Sequence, residues 1–315
     1  MYSYSTNYGE LKSISLYTTY PNQQLKDCVL SERNELNTPF GILVPQYDHA
    51  EIRRKNTYSV SFFENGILKR IALQDQVEID TCVGKLPAEL ITFYNSGKIK
   101  KIFPLNGHIT AYWDENDEYN LAKEFYFDFP FGSFKTKIIS IGFYETGTVK
   151  SITLWPNEYI YINTPIGKQR IRIGFSLYPD GSIKSIEPIE PIDIMTPIGN
   201  IKSFDVNANG VTGDKNSLAF TEDGKVKSLI SSDNKITIKG PNNTSKIYSP
   251  FQIKQMCDQE IYYQTLKIEF CNDIVIFNEK DKYKIEENSF IIEPFVRPVQ
   301  NKCSNCSSCS MCSTS

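Results

Sequence analysis

One short phrase recurs eight times along this chain of 315 residues: an apolar residue, a lysine, any residue, and a second apolar residue. Such self-similarity is typical of folds built by repetition, in which each unit buries its apolar face only by stacking on its neighbours. The copies are Leu11–Ile14, Leu25–Cys28, Leu68–Ile71, Ile99–Ile102, Val149–Ile152, Ile183–Ile186, Ile201–Phe204 and Val226–Leu229. The repeat therefore predicts an architecture before it says anything about function.

Glycines punctuate the phrases and alternate between two kinds of turn. The first kind follows apolar or aromatic residues, as in Pro179-Asp180-Gly181, and predicts hairpins because glycine adopts positive φ without steric cost. We expect Gly181 to lie in a left-handed bulge. The second kind, such as Thr164-Pro165-Ile166-Gly167, contains proline, which cannot donate to a β-ladder and so marks strand starts or corners. The alternation gives five two-part units between residues 38 and 230.

These patterns predict a mainly β fold. Stacked antiparallel hairpin repeats are expected to form an elongated sheet or a β-solenoid-like body over residues 1–240. Residues 241–296 are predicted to be an α+β cap packed on the repeats. One short helix is expected near 250–258, because Ser249 suits a helix cap and Pro250 the first helical position. Residues 297–315 are rich in Ser, Cys and Asn and predict a disordered tail.

The spacing inside the phrase conflicts with a regular strand. Apolar residues three apart, such as Ile183 and Ile186, fall on opposite faces when the alternation is unbroken. Either both faces are buried, or a bulge at the lysine resets the alternation. We favour burial on both faces.

The phrase lysines could stack into a basic row. An anionic partner, such as phospholipid head groups or an acidic protein, is then the less favoured alternative. We favour solvated lysines that protect the sheet from edge pairing. Acidic residues across the turns, Glu64, Glu145 and Glu222, are expected to neutralise the row.

Three insertions interrupt the spacing. Residues 42–58 contain His49, residues 105–128 contain His108, Trp113 and the acidic run 114–118, and residues 205–217 are rich in Asn and Gly. Insertions in repeat proteins collect in loops, often on the binding face. We interpret the acidic run as a solvated loop, with a partner-binding role as the alternative.

The cysteines fall into two groups. Cys28, Cys82, Cys257 and Cys271 are scattered, and we expect them to pack as small apolar side chains. The other four form a CxxCxxCxxC run in the tail, and thiolates at this spacing can bind one soft metal ion or cluster. The run consists of Cys303, Cys306, Cys309 and Cys312.

The identity of a metal on this run is open. Three of the cysteines resemble the run of bacterial [4Fe–4S] ferredoxins, although the longer gap before the fourth cysteine and the proline after it are missing. A Zn or Cu(I) thiolate cluster of metallothionein type tolerates such crowding better. The alternative is a flexible tail whose thiols cross-link or have no role.

Composition and motifs argue against several classes. A net charge of −3 predicts no nucleic-acid partner. No apolar stretch is long enough for a transmembrane segment and no secretory signal is evident, so the expected location is cytoplasmic. The chain has two histidines and no Walker loop, dinucleotide fingerprint, nucleophile elbow or HExxH helix, which predicts that it is not an enzyme.

Two turn segments carry a family resemblance. Residues 93–100 (Phe-Tyr-Asn-Ser-Gly-Lys-Ile-Lys) and 143–150 (Phe-Tyr-Glu-Thr-Gly-Thr-Val-Lys) resemble the Tyr-Tyr-x-Asn-Gly-x-Leu-Lys units of MORN-like repeats, including those of YwqK-type antitoxin proteins. The resemblance implies stacked β-hairpins that contact proteins and in some cases neutralise a toxin. The units here are longer, and the Thr-Pro-Ile-Gly element is not part of that pattern.

Together these features predict a non-enzymatic β-repeat binding or scaffold protein with a protein partner. Its tail is expected to bind a soft metal or an iron–sulfur cluster. One alternative is an immunity protein that binds a toxin through residues 114–118. A second alternative is a redox accessory subunit with a [4Fe–4S] cluster.

Overall fold

The structure, a computed structural model, describes residues 2–48, 52–54, 57–210, 213–241, 244–254 and 261–296. Within these ranges the chain is mainly β, as predicted. The described residues contain one α-helix, and it is not where the sequence placed it: α1 spans Glu115–Leu121. Phe251–Lys254 is instead a strand, since its apolar and polar residues alternate with period two. Residues 255–258 of the predicted helix lie outside the described ranges.

The strands are short or of moderate length, and hairpins join most of them to the next strand in the chain. In chain order they are β1 (Tyr2–Thr6), β2 (Gly9–Thr19), β3 (Leu25–Leu30), β4 (Leu36–Thr38), β5 (Gly41–Leu43), β6 (Val60–Phe62), β7 (Leu68–Thr81), β8 (Gly84–Phe93), β9 (Ile99–Phe103), β10 (Glu124–Phe129), β11 (Gly132–Phe143), β12 (Val149–Leu154), β13 (Ile160–Thr164), β14 (Gly167–Leu177), β15 (Ile183–Pro188), β16 (Ile192–Thr196), β17 (Gly199–Ser203), β18 (Leu218–Phe220), β19 (Val226–Ser231), β20 (Asn234–Lys239), β21 (Ser245–Tyr248), β22 (Phe251–Lys254), β23 (Ile261–Gln264), β24 (Leu266–Cys271), β25 (Ile274–Phe277), β26 (Asp281–Lys284) and β27 (Ser289–Pro294).

Eighteen strands form one large antiparallel sheet. The pairings give the spatial order β1-β2-β3-β6-β7-β8-β9-β11-β12-β14-β15-β18-β19-β24-β25-β26. β10 and β13 branch from it by pairing with β11 and β14. The large antiparallel sheet of hairpin units that the sequence predicts is therefore present. β24 to β26 continue this sheet beyond residue 240, while the predicted domain boundaries at residues 240 and 296 stay predictions.

The first kind of turn has one hydrogen-bonding scheme in every unit. The amide of Tyr94 donates to the carbonyl of Lys98 at 2.8 Å, and the amide of Gly97 donates to the carbonyl of Tyr94 at 2.9 Å. The same pair of bonds recurs in the turns that begin at Phe63, Tyr144, Tyr178 and Thr221. Gly181 has a φ of +87° and is followed by a register shift, which confirms the predicted left-handed bulge.

The bulge explains the spacing of the repeated phrase. In the unit of β14 and β15, Leu177 pairs with Ile183 and Ser176 pairs with Ser185, so that Lys184 has no partner. With one extra residue between them, Ile183 and Ile186 return to the same face of the sheet. The lysine is skipped in the same way at Lys26, Lys69, Lys100, Lys150 and Lys227. The bulge that we did not favour therefore sets the spacing in these six copies, and burial on both faces is added to it in β12 and β15. In the copy Ile201–Phe204, Lys202 pairs regularly with Asp193.

The second kind of turn closes hairpins with two-residue loops. Thr164 Oγ1 donates to the carbonyl of Gly167 at 2.7 Å and accepts from the amide of Ile166 at 3.3 Å. Equivalent threonine bonds occur at Thr6, Thr38, Thr81 and Thr196. The threonine hydroxyl supplies hydrogen-bond partners for the backbone of the loop. Pro165 can therefore occupy a position that needs no amide donor.

Apolar side chains from the sheet and from these hairpins form one core cluster. Its centre is aromatic: the ring of Phe175 is fully buried and meets those of Phe129, Phe131 and Phe134 edge-on at 5.4 to 6.1 Å. Each buried phenylalanine contributes about 1.5–3 kcal/mol. This core holds the hairpins of β10–β11 and β13–β14 against the sheet and fixes which of their side chains face outwards.

Candidate protein-interaction face

Two neighbouring hairpins, β10–β11 and β13–β14, alternate between buried and exposed residues. On the inner side Phe127 and Ile162 are almost completely buried, with exposures of 2% and 1%. On the outer side Tyr126 and Tyr161 are 61% and 52% exposed, and Tyr159 is 48% exposed. Because strand side chains alternate, the buried residues fix the direction of these three tyrosines. The fold thus presents large aromatic rings to solvent.

Basic side chains lie among the rings. Tyr126 pairs with Lys135 across β10–β11, and Tyr161 pairs with Arg170 across β13–β14. The guanidinium of Arg170 lies 3.8 Å from the centroid of the Tyr159 ring, and the ammonium of Lys168 lies 5.7 Å from that of Tyr161. Cations in such positions are attracted to the negative face of the ring.

The two hairpins are in direct contact, and each exposes at least one tyrosine to solvent. The amide of Asn163 donates to the carbonyl of Phe131 at 2.8 Å, which places β13 beside the β10–β11 loop. We define the tyrosine face by six residues. They are Tyr126, Lys135, Tyr159, Tyr161, Lys168 and Arg170.

The charges of the tyrosine face have no ion-pair partner among the residues that the structure describes. No ion pair in the described ranges includes Lys135, Lys168 or Arg170. Of the acidic residues on β10, Asp128 accepts a hydrogen bond from Ser133 and Glu124 is exposed. Arg170 Nε is buried against the rings and makes no hydrogen bond in the part of the chain that the structure describes. The face therefore offers apolar area together with unpaired cationic donors.

The first two insertions are joined to each other rather than presented for binding. Arg53 Nη2 lies 2.7 Å from Glu89 Oε2, and Arg53 Nε lies 2.8 Å from Glu118 Oε2. Glu118 also accepts from the indole of Trp113 at 2.8 Å and from the amide of Gly107 at 2.8 Å. Burial lowers the pKa of Arg53, but the two carboxylates outweigh it, and the pKa of the guanidinium is raised. This buried cluster fastens residues 105–128 to residues 52–54.

The acidic run is mostly exposed to solvent, as expected, but the prediction that it is a loop is wrong. Residues 115–121 form α1, which begins with a reciprocal capping box between Asp114 and Asp117. Glu118 is 7% exposed and faces Arg53, the base that the sequence did not reveal. The other four residues of the run, 114–117, are exposed. The run as a surface for binding a toxin stays a prediction.

The third insertion lies across the sheet and is held by its last residues. Asp214 accepts from Ser151 Oγ at 2.5 Å and lies 3.1 Å from Lys101 Nζ. Burial raises the pKa of Asp214, but these two partners outweigh it and the pKa falls below its ordinary value. Ser217 donates both its amide and its hydroxyl to the buried Glu187, whose pKa burial raises to about 7. The insertion thus covers the sheet instead of forming a free binding loop.

Most of the residues that the sequence singled out lie outside the part of the chain that the structure describes. Cys303, Cys306, Cys309 and Cys312 lie outside the described residues, as do His49 and Cys257. His108 is exposed in the second insertion. Among the residues that the structure describes, no group of three or more metal-ligating side chains is present.

The scattered cysteines differ from one another. Cys28 is buried as expected, and burial raises the pKa of its thiol to about 12. Cys82 and Cys271 are exposed, so the prediction that they pack in the core is wrong for these two. Cys82 is in the two-residue loop between β7 and β8, where a side chain projects from the turn, and Cys271 is the last residue of β24.

The sequence contains a signal for the tyrosine face. Residues 124–129 read Glu-Phe-Tyr-Phe-Asp-Phe, in which Tyr126 occupies the polar phase between Glu124 and Asp128. Tyr161 likewise alternates with Ile160 and Ile162. An aromatic residue in the phase of a strand that faces solvent predicts an exposed ring.

Comparison with known proteins assigns no family. No protein-family model, curated protein or solved structure matches this chain. No helix in the described ranges is long and apolar enough to cross a lipid bilayer.

Proposed function

We propose that this chain is a non-enzymatic β-repeat binding protein, a scaffold that recruits a protein partner through the tyrosine face. The observation that carries the proposal is the exposure of Tyr126, Tyr159 and Tyr161 on the outer side of two adjacent hairpins whose inner sides already supply the core. The corresponding outer positions of the β7–β8 hairpin hold Glu78 and Asp80, so the fold does not require aromatic residues there.

The composition of the tyrosine face supports a protein partner. Tyrosine and arginine are enriched among the residues that dominate binding energy at protein interfaces. Their rings bury a large area at a low cost in side-chain entropy, since only two torsions become fixed. Arg170, already stacked on Tyr159, would gain acceptors for its donors when a partner covers it.

The test begins with the proteins that cross-link to the chain in a lysate of its source cells. The strongest candidate is purified, and its dissociation constant is measured by calorimetry. The double variant Tyr126→Ala/Tyr161→Ala is expected to weaken binding at least about 30-fold, because hot-spot residues contribute about 2 kcal/mol or more. Tyr17→Ala, which removes a 45% exposed tyrosine from β2, is the matched control and should bind like the wild type.

The outcome is unambiguous because both tyrosines are exposed and their removal leaves the core intact. Thermal unfolding midpoints of the two variants are expected to equal that of the wild type. If the double variant binds every cross-linked partner as tightly as the Tyr17→Ala control does, the tyrosine face is not the binding surface and the proposal fails.

The proposal includes a metal on the cysteine run, in the cytoplasmic setting that the sequence predicts. It is supported by the spacing alone: four thiolates within ten residues can bind Zn, Cu(I) or an iron–sulfur cluster. Protein purified without oxygen is expected to contain stoichiometric metal by elemental analysis, and a chain ending at Lys302 should contain none. Replacement of Cys303 and Cys306 by serine should also abolish binding. Metal at background level in the full-length protein would contradict this part of the proposal.

A further inference from the structure

Six lysines lie at the same end of their strands in the main sheet. Five follow turns of the first kind, and Lys26 follows a turn at residues 20–24 with the same pair of hydrogen bonds but no glycine. We define the lysine row by Lys26, Lys69, Lys100, Lys150, Lys184 and Lys227, which are the bulged residues of β3, β7, β9, β12, β15 and β19. In the spatial order of the sheet these are every second strand. Since neighbouring strands are about 4.8 Å apart, the lysines recur about every 9.5 Å.

Aromatic rings hold five of these lysines in place. Each ammonium lies over the ring that begins its own turn, at 5.5 to 5.8 Å from the centroid. The rings of Tyr94, Tyr144 and Tyr178 are fixed in turn, because each hydroxyl donates to a carbonyl of the next unit at 2.7 or 2.8 Å. The cations are therefore positioned before any ligand arrives, which lowers the entropic cost of binding.

In the described ranges the lysines of the row have no ion-pair partner in direct contact, although the charge of Lys150 helps to lower the pKa of Asp214. Lys101, the next residue after Lys100, forms an ion pair with Asp214, but no ion pair of the described ranges includes a lysine of the row. Glu64, Glu145 and Glu222, which the sequence suggested as neutralising partners, lie in the turns without forming such pairs. Five of the six lysines are exposed and Lys150 is partly buried. The lysine row thus offers regularly spaced positive charges to a ligand with regularly spaced negative charges.

We infer that the lysine row binds an extended acidic peptide with a carboxylate at every third residue. Three residues of a polyproline II helix span about 9.3 Å, which matches the spacing of the lysines. A β-strand covers a similar length in three residues, but its residues three apart point to opposite faces, so only every second carboxylate would meet the row. Every third residue of a polyproline II helix lies on the same side, and surfaces lined with aromatic rings accept this helix. A nucleic-acid strand fits less well, because its phosphates recur about every 3.4 Å along a duplex and most would meet no lysine.

The test compares two labelled peptides of equal composition by fluorescence anisotropy. One carries about six Glu-Pro-Pro repeats. The other carries the same glutamates in a single block at one end. The periodic peptide is expected to bind the wild-type protein about tenfold more tightly than the block peptide, because only its carboxylates match the row. Equal affinity for both peptides would show attraction by net charge alone and would overturn the inference.

Variants locate the site. The triple variant Lys69→Gln/Lys100→Gln/Lys150→Gln is expected to lose about tenfold in affinity for the periodic peptide. Lys85→Gln/Lys123→Gln/Lys239→Gln changes the net charge equally at exposed lysines away from the row and should bind like the wild type. If the first variant fails to fold, Lys→Arg at the same positions, which keeps charge and ring contact, should retain binding.

Competition separates the classes of ligand. A single-stranded oligonucleotide or a sulfated polysaccharide of equal charge is expected to displace the periodic peptide only at much higher concentration. Stronger displacement by either polymer would assign the row to that class and overturn the peptide inference. The result is independent of the tyrosine face, since none of its six residues belongs to the row.

Discussion

Replacing Arg53 with alanine is expected to lower the free energy of unfolding by about 3–5 kcal/mol. The guanidinium lies between Glu89 and Glu118, whose side chains are only 8% and 9% exposed. Without it, Glu118 stays buried with no countercharge in the described ranges, and Glu89 keeps only Arg54, whose Nη1 lies 3.8 Å from Oε2. The hydrogen bonds from Trp113 and the amides cannot replace the lost charge. Urea unfolding followed by circular dichroism measures the loss.

Arg33 supplies the matched control. It forms an ion pair with Glu35 at 2.7 Å, but the two side chains are 57% and 50% exposed. Solvent screens this pair, so Arg33→Ala should cost less than about 1 kcal/mol. Equal destabilisation of the two variants would contradict a buried network between the insertions. Glu118→Gln in the Arg53→Ala background should restore part of the stability, because it removes the buried charge that the loss of Arg53 leaves unpaired.

Replacing Gly174 with alanine is expected to lower the free energy of unfolding by about 4 kcal/mol, the sum of backbone strain and overpacking. Gly174 has a φ of +150°, and an added Cβ would lie 2.1 Å from the carbonyl oxygen of Ile152. It would also approach Gly213, so β12 and the third insertion would both have to move. Thermal and urea unfolding measure the change.

Gly147 separates the cost of backbone strain from the cost of overpacking. Its φ of +89° is also in the left-handed region, but an added Cβ there meets no atom within 4 Å. Gly147→Ala should therefore cost only the strain, about 1 kcal/mol. A loss at Gly174 no larger than that at Gly147 would mean that the close approach to Ile152 does not constrain the sheet.

The turns were predictable from sequence because local bonds decide them. Residues four apart, such as Tyr94 and Lys98, close each turn of the first kind, and a glycine between them permits the bulge. The lysine bulge could not be chosen over burial on both faces, because the choice depends on the register of a partner strand. The prediction of a helix near residue 250 is wrong, because the alternation of apolar and polar residues in Phe251–Lys254 decides the structure there and the capping pattern at Ser249 does not.

The candidate sites depended on contacts between distant residues. Arg53 and Glu118 are 65 positions apart, so the acidic run seemed to have no base. Its capping box, Asp114 and Asp117 three residues apart, was visible and predicts a helix start. The lysine row could not be predicted from the sequence, because only the spatial order of the strands shows that every second strand carries one of these lysines. The cysteine run stays a prediction.

Most strands of the main sheet pair with strands that precede or follow them closely in the chain. Duplication or deletion of the gene segment that encodes one whole unit would lengthen or shorten the sheet, and the pairing of the other strands would stay the same. It would also add or remove one lysine and its ring. Relatives of this protein could therefore differ in reach, matching ligands of different length with the same chemistry.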